Sequence, residues 1–167
     1  STIRHLGNLE TSSLGFGCMG LSQGYGPTDD SESLSALHAA IDSGITMLDT
    51  AMSYGQGHNE KLVGKAVSTT TVARDDLCIA TKFGIVRRED GVQLDAHPSR
   101  IASYCEASLR RLGTDVIDLY YLHRVDPRVA IEESVAAMAE LVTQGKVRYL
   151  GVSEVTPDEL RRAHAIH

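Results

Sequence analysis

At 167 residues, 42% apolar and 23% charged, the chain has the size and composition of one globular domain, and length gives no ground for a second. A net charge of −6 with no local run of Lys/Arg argues against a nucleic-acid surface; the opening STIRHLGNLE is not a signal peptide, and no apolar stretch approaches the roughly 18 residues of a membrane span. Cys18, Cys78 and Cys105 are widely spaced, with no CxxC, which indicates neither a disulfide framework nor a zinc site and predicts a reduced, cytoplasmic setting.

In chain order, residues 3–12 (IRHLGNLETS) read as a small hairpin turning at Gly7-Asn8. Five short apolar runs follow: Leu14–Cys18, Ile45–Asp49, Leu77–Phe83, Val116–Leu122 and Val147–Val152. Their continuity predicts parallel strands buried on both faces. Helix patterns lie between them. The first repeats through Leu34, Leu37 and Ile41, with Asp29…Glu32 as its capping box and Gly44 as its stop. The second shows Leu62, Val63, Ala66 and Val67 after Asn59-Glu60. The third runs through Ile101, Cys105, Leu109 and Leu112 to Gly113, and the fourth through Ile131, Val135, Met138 and Val142 to Gly145. The last has Thr156 as N-cap, Pro157 at its first position and Glu159 three residues after the cap. Arg110-Arg111 and Arg161-Arg162 read as solvated helix faces. Strict β–α alternation predicts a parallel sheet with right-handed crossovers. An open doubly wound sheet and the first five units of an eight-fold barrel both satisfy it.

The polar residues fall in one place on this map. Asp49 closes the second strand, with Tyr54 on the loop beyond it; Lys82 closes the third, His123 the fourth, and Ser153-Glu154 the fifth. These are carboxyl ends of strands, where α/β barrels assemble active sites. Each residue has a plainer role. A strand-end aspartate caps a turn, a lysine snorkels to solvent, a tyrosine packs a loop, a histidine sits satisfied in a core. Four such accidents on one face are a weaker account than one proton-transfer set. A phenol is a sluggish acid near neutrality, and an ammonium beside its oxygen stabilises the phenolate. An aspartate holds that ammonium charged, and a histidine on the next strand orients a carbonyl. His164 and His167, at i and i+3, have no acidic or thiol partner and read as surface residues rather than metal ligands.

The stretches LGFGCMGLS (14–22), LDTAMSYGQGHNEKLVGKAV (48–67), CIATKFG (78–84), SLRRLGTDVIDLYYLHR (108–124) and ELVTQGKVRYLGVSE (140–154) resemble the aldo-keto reductases, in family order and across nearly the whole chain. The bacterial and plant members carrying GCMG and GVSE are most similar. The resemblance implies a (β/α)8 TIM barrel closed below by an N-terminal hairpin, and NADPH-dependent reduction of an aldehyde or ketone. Residues 1–167 would then be a single barrel domain that supplies the hairpin and about five β/α units, stopping before the sixth strand, with the remainder of the barrel coming from a longer chain. It also implies a catalytic tetrad of Tyr54, Asp49, Lys82 and His123, with Tyr54 as general acid, Lys82 paired to Asp49 as its tuner, and His123 orienting the carbonyl. Cofactor contacts carry over to backbone at Gly17, Cys18 and Met19, and to Ser153 beside the nicotinamide amide.

Two positions depart from the family pattern. Met52 stands where many members have an acid, giving an apolar pocket wall, and Glu154 stands where many have an asparagine, whose amide donates a hydrogen bond that a carboxylate cannot. The residues admit two other readings. Gly15-Phe16-Gly17-Cys18-Met19-Gly20 is literally GxGxxG, but a dinucleotide fold needs its helix to open on the motif, and here Gly24, Gly26 and Pro27 intervene. A non-catalytic relative, serving as a cofactor-sensing or assembly subunit, is the alternative from another class.

Overall fold

The computed structural model of the protein describes residues 2–22 and 27–167. The chain opens on a hairpin of β1 (Ile3–Leu6) and β2 (Leu9–Ser12), with Leu6 paired to Leu9. Gly7 turns it with φ +61°, a left-handed conformation that suits glycine. Next come β3 (Gly15–Gly17), α1 (Pro27–Asp42), β4 (Met47–Asp49), α2 (His58–Thr69) and β5 (Cys78–Phe83). A second hairpin, β6 (Ile85–Arg88) and β7 (Gly91–Leu94), precedes α3 (Pro98–Leu112). The chain continues through β8 (Ile117–Leu122), α4 (Ile131–Thr143), β9 (Val147–Val152) and α5 (Pro157–His164).

The main sheet has the order β3-β4-β5-β8-β9, every pair parallel. Each new strand is laid beside the one before it. A doubly wound sheet must reverse its strand order at a switch point, and this one does not; successive addition builds a barrel wall. The GxGxxG reading fails on the position of its helix. After β3 comes a 3-10 turn at Met19–Ser22, and the helix opens only at Pro27; Gly24 and Gly26 lie outside the described residues.

Strand alternation sorts the side chains into two layers. Asp49 pairs with Ala80, Lys82 with Tyr121, and Tyr121 with Gly151, so these positions share one face, the inner wall. Leu48, Ile79, Thr81 and Tyr120 share the other and meet the helices. There Phe83 and Tyr120 stack at 5.1 Å between centroids, both fully buried, and burying the Phe83 side chain contributes about 2–3 kcal/mol.

Three expectations are corrected. Asp29 lies inside the first turn of α1, because the helix begins at Pro27; proline suits the first helical turn, where its missing N–H leaves no bond unmade. The β6–β7 hairpin, which the apolar pattern did not predict, is exposed along most of its length. Arg111 does not lie on a solvated face: its guanidinium reaches 2.6 Å from the carboxylate of Glu60, a fully buried residue. At the far end of α3, Gly113 takes φ +64° as the predicted stop, and α5 carries the predicted capping box of Thr156 and Glu159.

Candidate active site

The chain leaves β4 at Asp49 and stays against β5 for three more residues, with Thr50 N–H donating to Ala80 O at 2.8 Å and Met52 N–H to Lys82 O at 3.1 Å. It then turns sharply. Gly55 and Gln56 both take left-handed angles, φ +59° and +53°. Glycine is required at 55, where an added Cβ would stand 2.9 Å from the Ser22 Cβ. Just before it, Tyr54 N–H donates to Ala51 O at 3.2 Å, and this turn sets the Tyr54 ring beside Lys82 and His123. Met52 packs against the buried core.

Lys82 projects from β5 onto the inner wall. Its Nζ donates to Asp49 Oδ1 at 2.6 Å and to Thr50 O at 2.9 Å. The same nitrogen stands 5.2 Å from the centre of the Tyr54 ring. His123 follows directly on β8, its backbone N–H donating to Phe83 O. Its imidazole meets Tyr54 edge to face, with centroids 6.1 Å apart and planes at 85°. Burial holds the His123 imidazole below the usual histidine range, and the Lys82 and Arg124 charges push the same way. Its Nδ1 is buried with no partner among the described residues. Asp49, Tyr54, Lys82 and His123 therefore meet at one mouth, with a cation beside a phenol and a neutral imidazole facing it.

The other sequence-predicted residues flank that mouth. Gly17 pairs with Asp49, and nothing lies within 4 Å of the position its Cβ would take. Met19 is exposed. Cys18 is fully buried, its N–H donating to Asp49 O at 2.9 Å and its carbonyl accepting from Asn59 Nδ2 at 2.5 Å. Its backbone polar groups are thus spent inside the protein, and burial pushes its thiol up to about 12. The Ser153 hydroxyl donates to the His123 carbonyl, which leaves its oxygen free to accept. Glu154, at φ +53°, pairs with Arg124 at 2.8 Å on the rim. Open space beside Gly17 and an acceptor at Ser153 fit the nicotinamide end of a dinucleotide.

A second layer of polar groups had not been predicted. Asn59 and Glu60, fully buried at the start of α2, bond to Thr50 and Thr81, the chain neighbours of Asp49 and Lys82. A signal was present. Asn59 lies three residues before Leu62 and four before Val63, and Glu60 three before Val63, on the helix's apolar stripe, where a polar side chain must find a buried partner.

A family model for the "Aldo/keto reductase family" matches residues 13–166. A "Probable aldo-keto reductase 1" of Glycine max is 48% identical, over 95% of this chain and 46% of its own length. The "Aldo-keto reductase str7" of Strobilurus tenacellus is 46% identical, over 98% of this chain and 48% of its own length. This chain thus spans about half the length of the curated relatives it matches. Among solved structures, the glycerol dehydrogenase AKR11B4 from Gluconobacter oxydans superposes with a TM-score of 0.87 at 34% identity, over 99% of this chain and 52% of that one. The aldo-keto reductase AKR11C1 from Bacillus halodurans (holo form) gives 0.82 at 40% identity, over 95% and 52%. An aldo/keto reductase from Klebsiella pneumoniae, solved in complex with NADP and acetate, gives 0.75 at 33% identity, over 92% and 49%. The hairpin and five β/α units are therefore part of an aldo-keto reductase TIM barrel. By sequence along nearly its whole length and by the path of its sheet, the chain belongs to the aldo/keto reductase family.

Proposed function

We propose that the protein reduces an aldehyde or ketone to an alcohol with NADPH, using Tyr54 as the proton donor. The observation that carries this reading is the Lys82–Asp49 ion pair set beside the Tyr54 ring, with His123 across from it. Family membership and the Klebsiella relative's complex with NADP support the cofactor.

Turning C=O into CH–OH requires a hydride at carbon and a proton at oxygen. NADPH, when bound, supplies the hydride. Tyr54 gives its phenolic proton to the carbonyl oxygen, and the Lys82 ammonium stabilises the phenolate left behind. Asp49, 2.6 Å from that ammonium, holds it in place. His123 is kept neutral by burial and by the Lys82 and Arg124 charges, so one ring nitrogen keeps a proton with which to orient the carbonyl oxygen. Gly17 and Met19 provide the backbone on one side of the cofactor's nicotinamide, and Ser153 accepts from its amide. Cys18 makes no such contact, since its N–H and C=O are already bonded.

A fluorescence titration of NADPH tests the cofactor assignment. We expect saturable binding, and in Gly17→Val a loss of affinity of about tenfold or more, roughly 1.4 kcal/mol, because the valine fills the open space beside Asp49. Unchanged affinity in a folded Gly17→Val protein would place the cofactor elsewhere.

A further inference from the structure

We propose that Asn59 and Glu60 are positioning residues for the Asp49–Lys82 ion pair, acting through the threonine next to each member. The inference rests on the reductase reading for its kinetic consequence, though not for its geometry. Thr50 follows Asp49, and its Oγ1 donates to Asn59 Oδ1 at 2.6 Å. Thr81 precedes Lys82, and its Oγ1 donates to Glu60 Oε2 at 2.9 Å. Asn59, Glu60, Thr50 and Thr81 are all fully buried.

The logic is that of the pleat. Successive side chains along a strand point to opposite faces, so pinning Thr81 to the helix layer directs Lys82 onto the inner wall, and the pin on Thr50 fixes the residue whose carbonyl accepts from Lys82 Nζ at 2.9 Å. Two adjacent residues on the first turn of α2 thus hold two adjacent strands, and the ion pair spans those same strands.

Neither anchor is free to drift. Asn59 Nδ2 donates to Cys18 O at 2.5 Å and to Ser22 Oγ at 3.0 Å. The same side chain therefore holds the Cys18 segment, whose N–H is bonded to Asp49 O. Glu60 Oε1 accepts from Arg111 Nε at 2.8 Å, which neutralises a carboxylate that burial alone would not tolerate. An apolar residue at either position would fill the space. The hydrogen-bonding atoms are what orients the groups they hold, and they satisfy those buried groups at the same time.

The test compares Thr50→Ser, Thr50→Val, Thr81→Ser and Thr81→Val. Serine keeps the hydroxyl and loses a methyl; valine keeps the shape and loses the hydroxyl. A packing role ranks valine nearer the wild type, and a positioning role ranks serine nearer. One readout is the NMR signal of the Lys82 ammonium, assigned with Lys82→Met. We expect the valine variants to displace it and to speed its hydrogen exchange about tenfold, with the serine variants close to wild type. The other is kinetic: kcat for carbonyl reduction should fall roughly tenfold to a hundredfold in the valine variants, with KM for NADPH within about twofold. Folded valine variants with an unaltered Lys82 signal would overturn the proposal. Should a valine variant fail to fold, serine variants that displace the signal as far as a packing loss would overturn it equally. If the wild type reduces no carbonyl, the reductase reading fails and the Lys82 signal alone decides this proposal.

Discussion

His123 is the titratable residue whose environment bears most directly on the proposed chemistry. Burial is the first cause of its lowered protonation, and Lys82 and Arg124 add to it. The unfolded chain therefore takes up this proton before the folded one. Its contribution to stability is whole above the ordinary histidine value of about 6.5 and is lost as pH falls through that value toward the folded one. An NMR titration should put the His123 midpoint below about 6.5, and Lys82→Met should raise it without restoring the ordinary value, because burial remains. A wild-type midpoint at or above the ordinary value would contradict this. Asp49, Lys82 and His123 were legible at this scale because each stands at or beside the end of an apolar run, and the run announces the strand; Tyr54, on the loop five residues beyond Asp49, was read from its distance to that strand end. The pairing of Glu60 with Arg111 was not legible. The two lie 51 residues apart on different helices, and although the apolar stripe of α2 marks Glu60 as buried, nothing local names Arg111 as its partner. Asp118 is similar: it bonds Arg74 at 2.8 Å and Arg148 at 3.1 Å from other elements of the chain.

At the scale of the element, capping chemistry was legible at α5 and misread at α1, where Asp29 lies inside the helix. In α5 the Thr156 side chain accepts from Glu159 N–H at 3.1 Å, and Glu159 Oε1 accepts from Thr156 N–H at 2.9 Å. The helix is mostly exposed and is held to α4 by Arg162 on Glu132 and by the buried Ala163, so little else masks the cap. Thr156→Ala should cost about 1 kcal/mol, seen as roughly fivefold faster amide exchange across α5 with the rest of the sheet unaffected. Exchange unchanged in α5 would mean that the cap contributes nothing. The β6–β7 hairpin escaped the same reading because its strands are four residues each and exposed apart from Ile85, Val86 and Leu94. An apolar period cannot find such strands. Asp90-Gly91, where the tip passes into β7, was the cue available, and Gly91 does take a positive φ of +133°. The hairpin is tied at its base by Arg128 on Leu94 O at 2.7 Å and by Asp126 accepting from Ala96 N–H at 3.2 Å. Both are contacts from the loop after His123, which sequence spacing does not reveal.

For the whole molecule, β–α alternation left two architectures open, and only strand order separates them. Hydrophobic runs carry no information on which neighbour a strand chooses, whereas family motifs in their expected order did. The resulting wall, β3 to β9, gathers one residue from each of several strand ends at a single mouth. That is how such barrels divide labour between a stable scaffold and a variable rim. On that scaffold the central claim is that Tyr54 protonates a carbonyl under the influence of Lys82. The measurement that tests it most directly is carbonyl reduction by wild type and Tyr54→Phe, followed by NADPH consumption, with NADPH affinity measured on the same samples. The account predicts turnover by the wild type, and in Tyr54→Phe a loss of kcat of at least about a hundredfold with NADPH affinity unchanged. A folded Tyr54→Phe protein that binds NADPH and reduces carbonyls at the wild-type rate would contradict it.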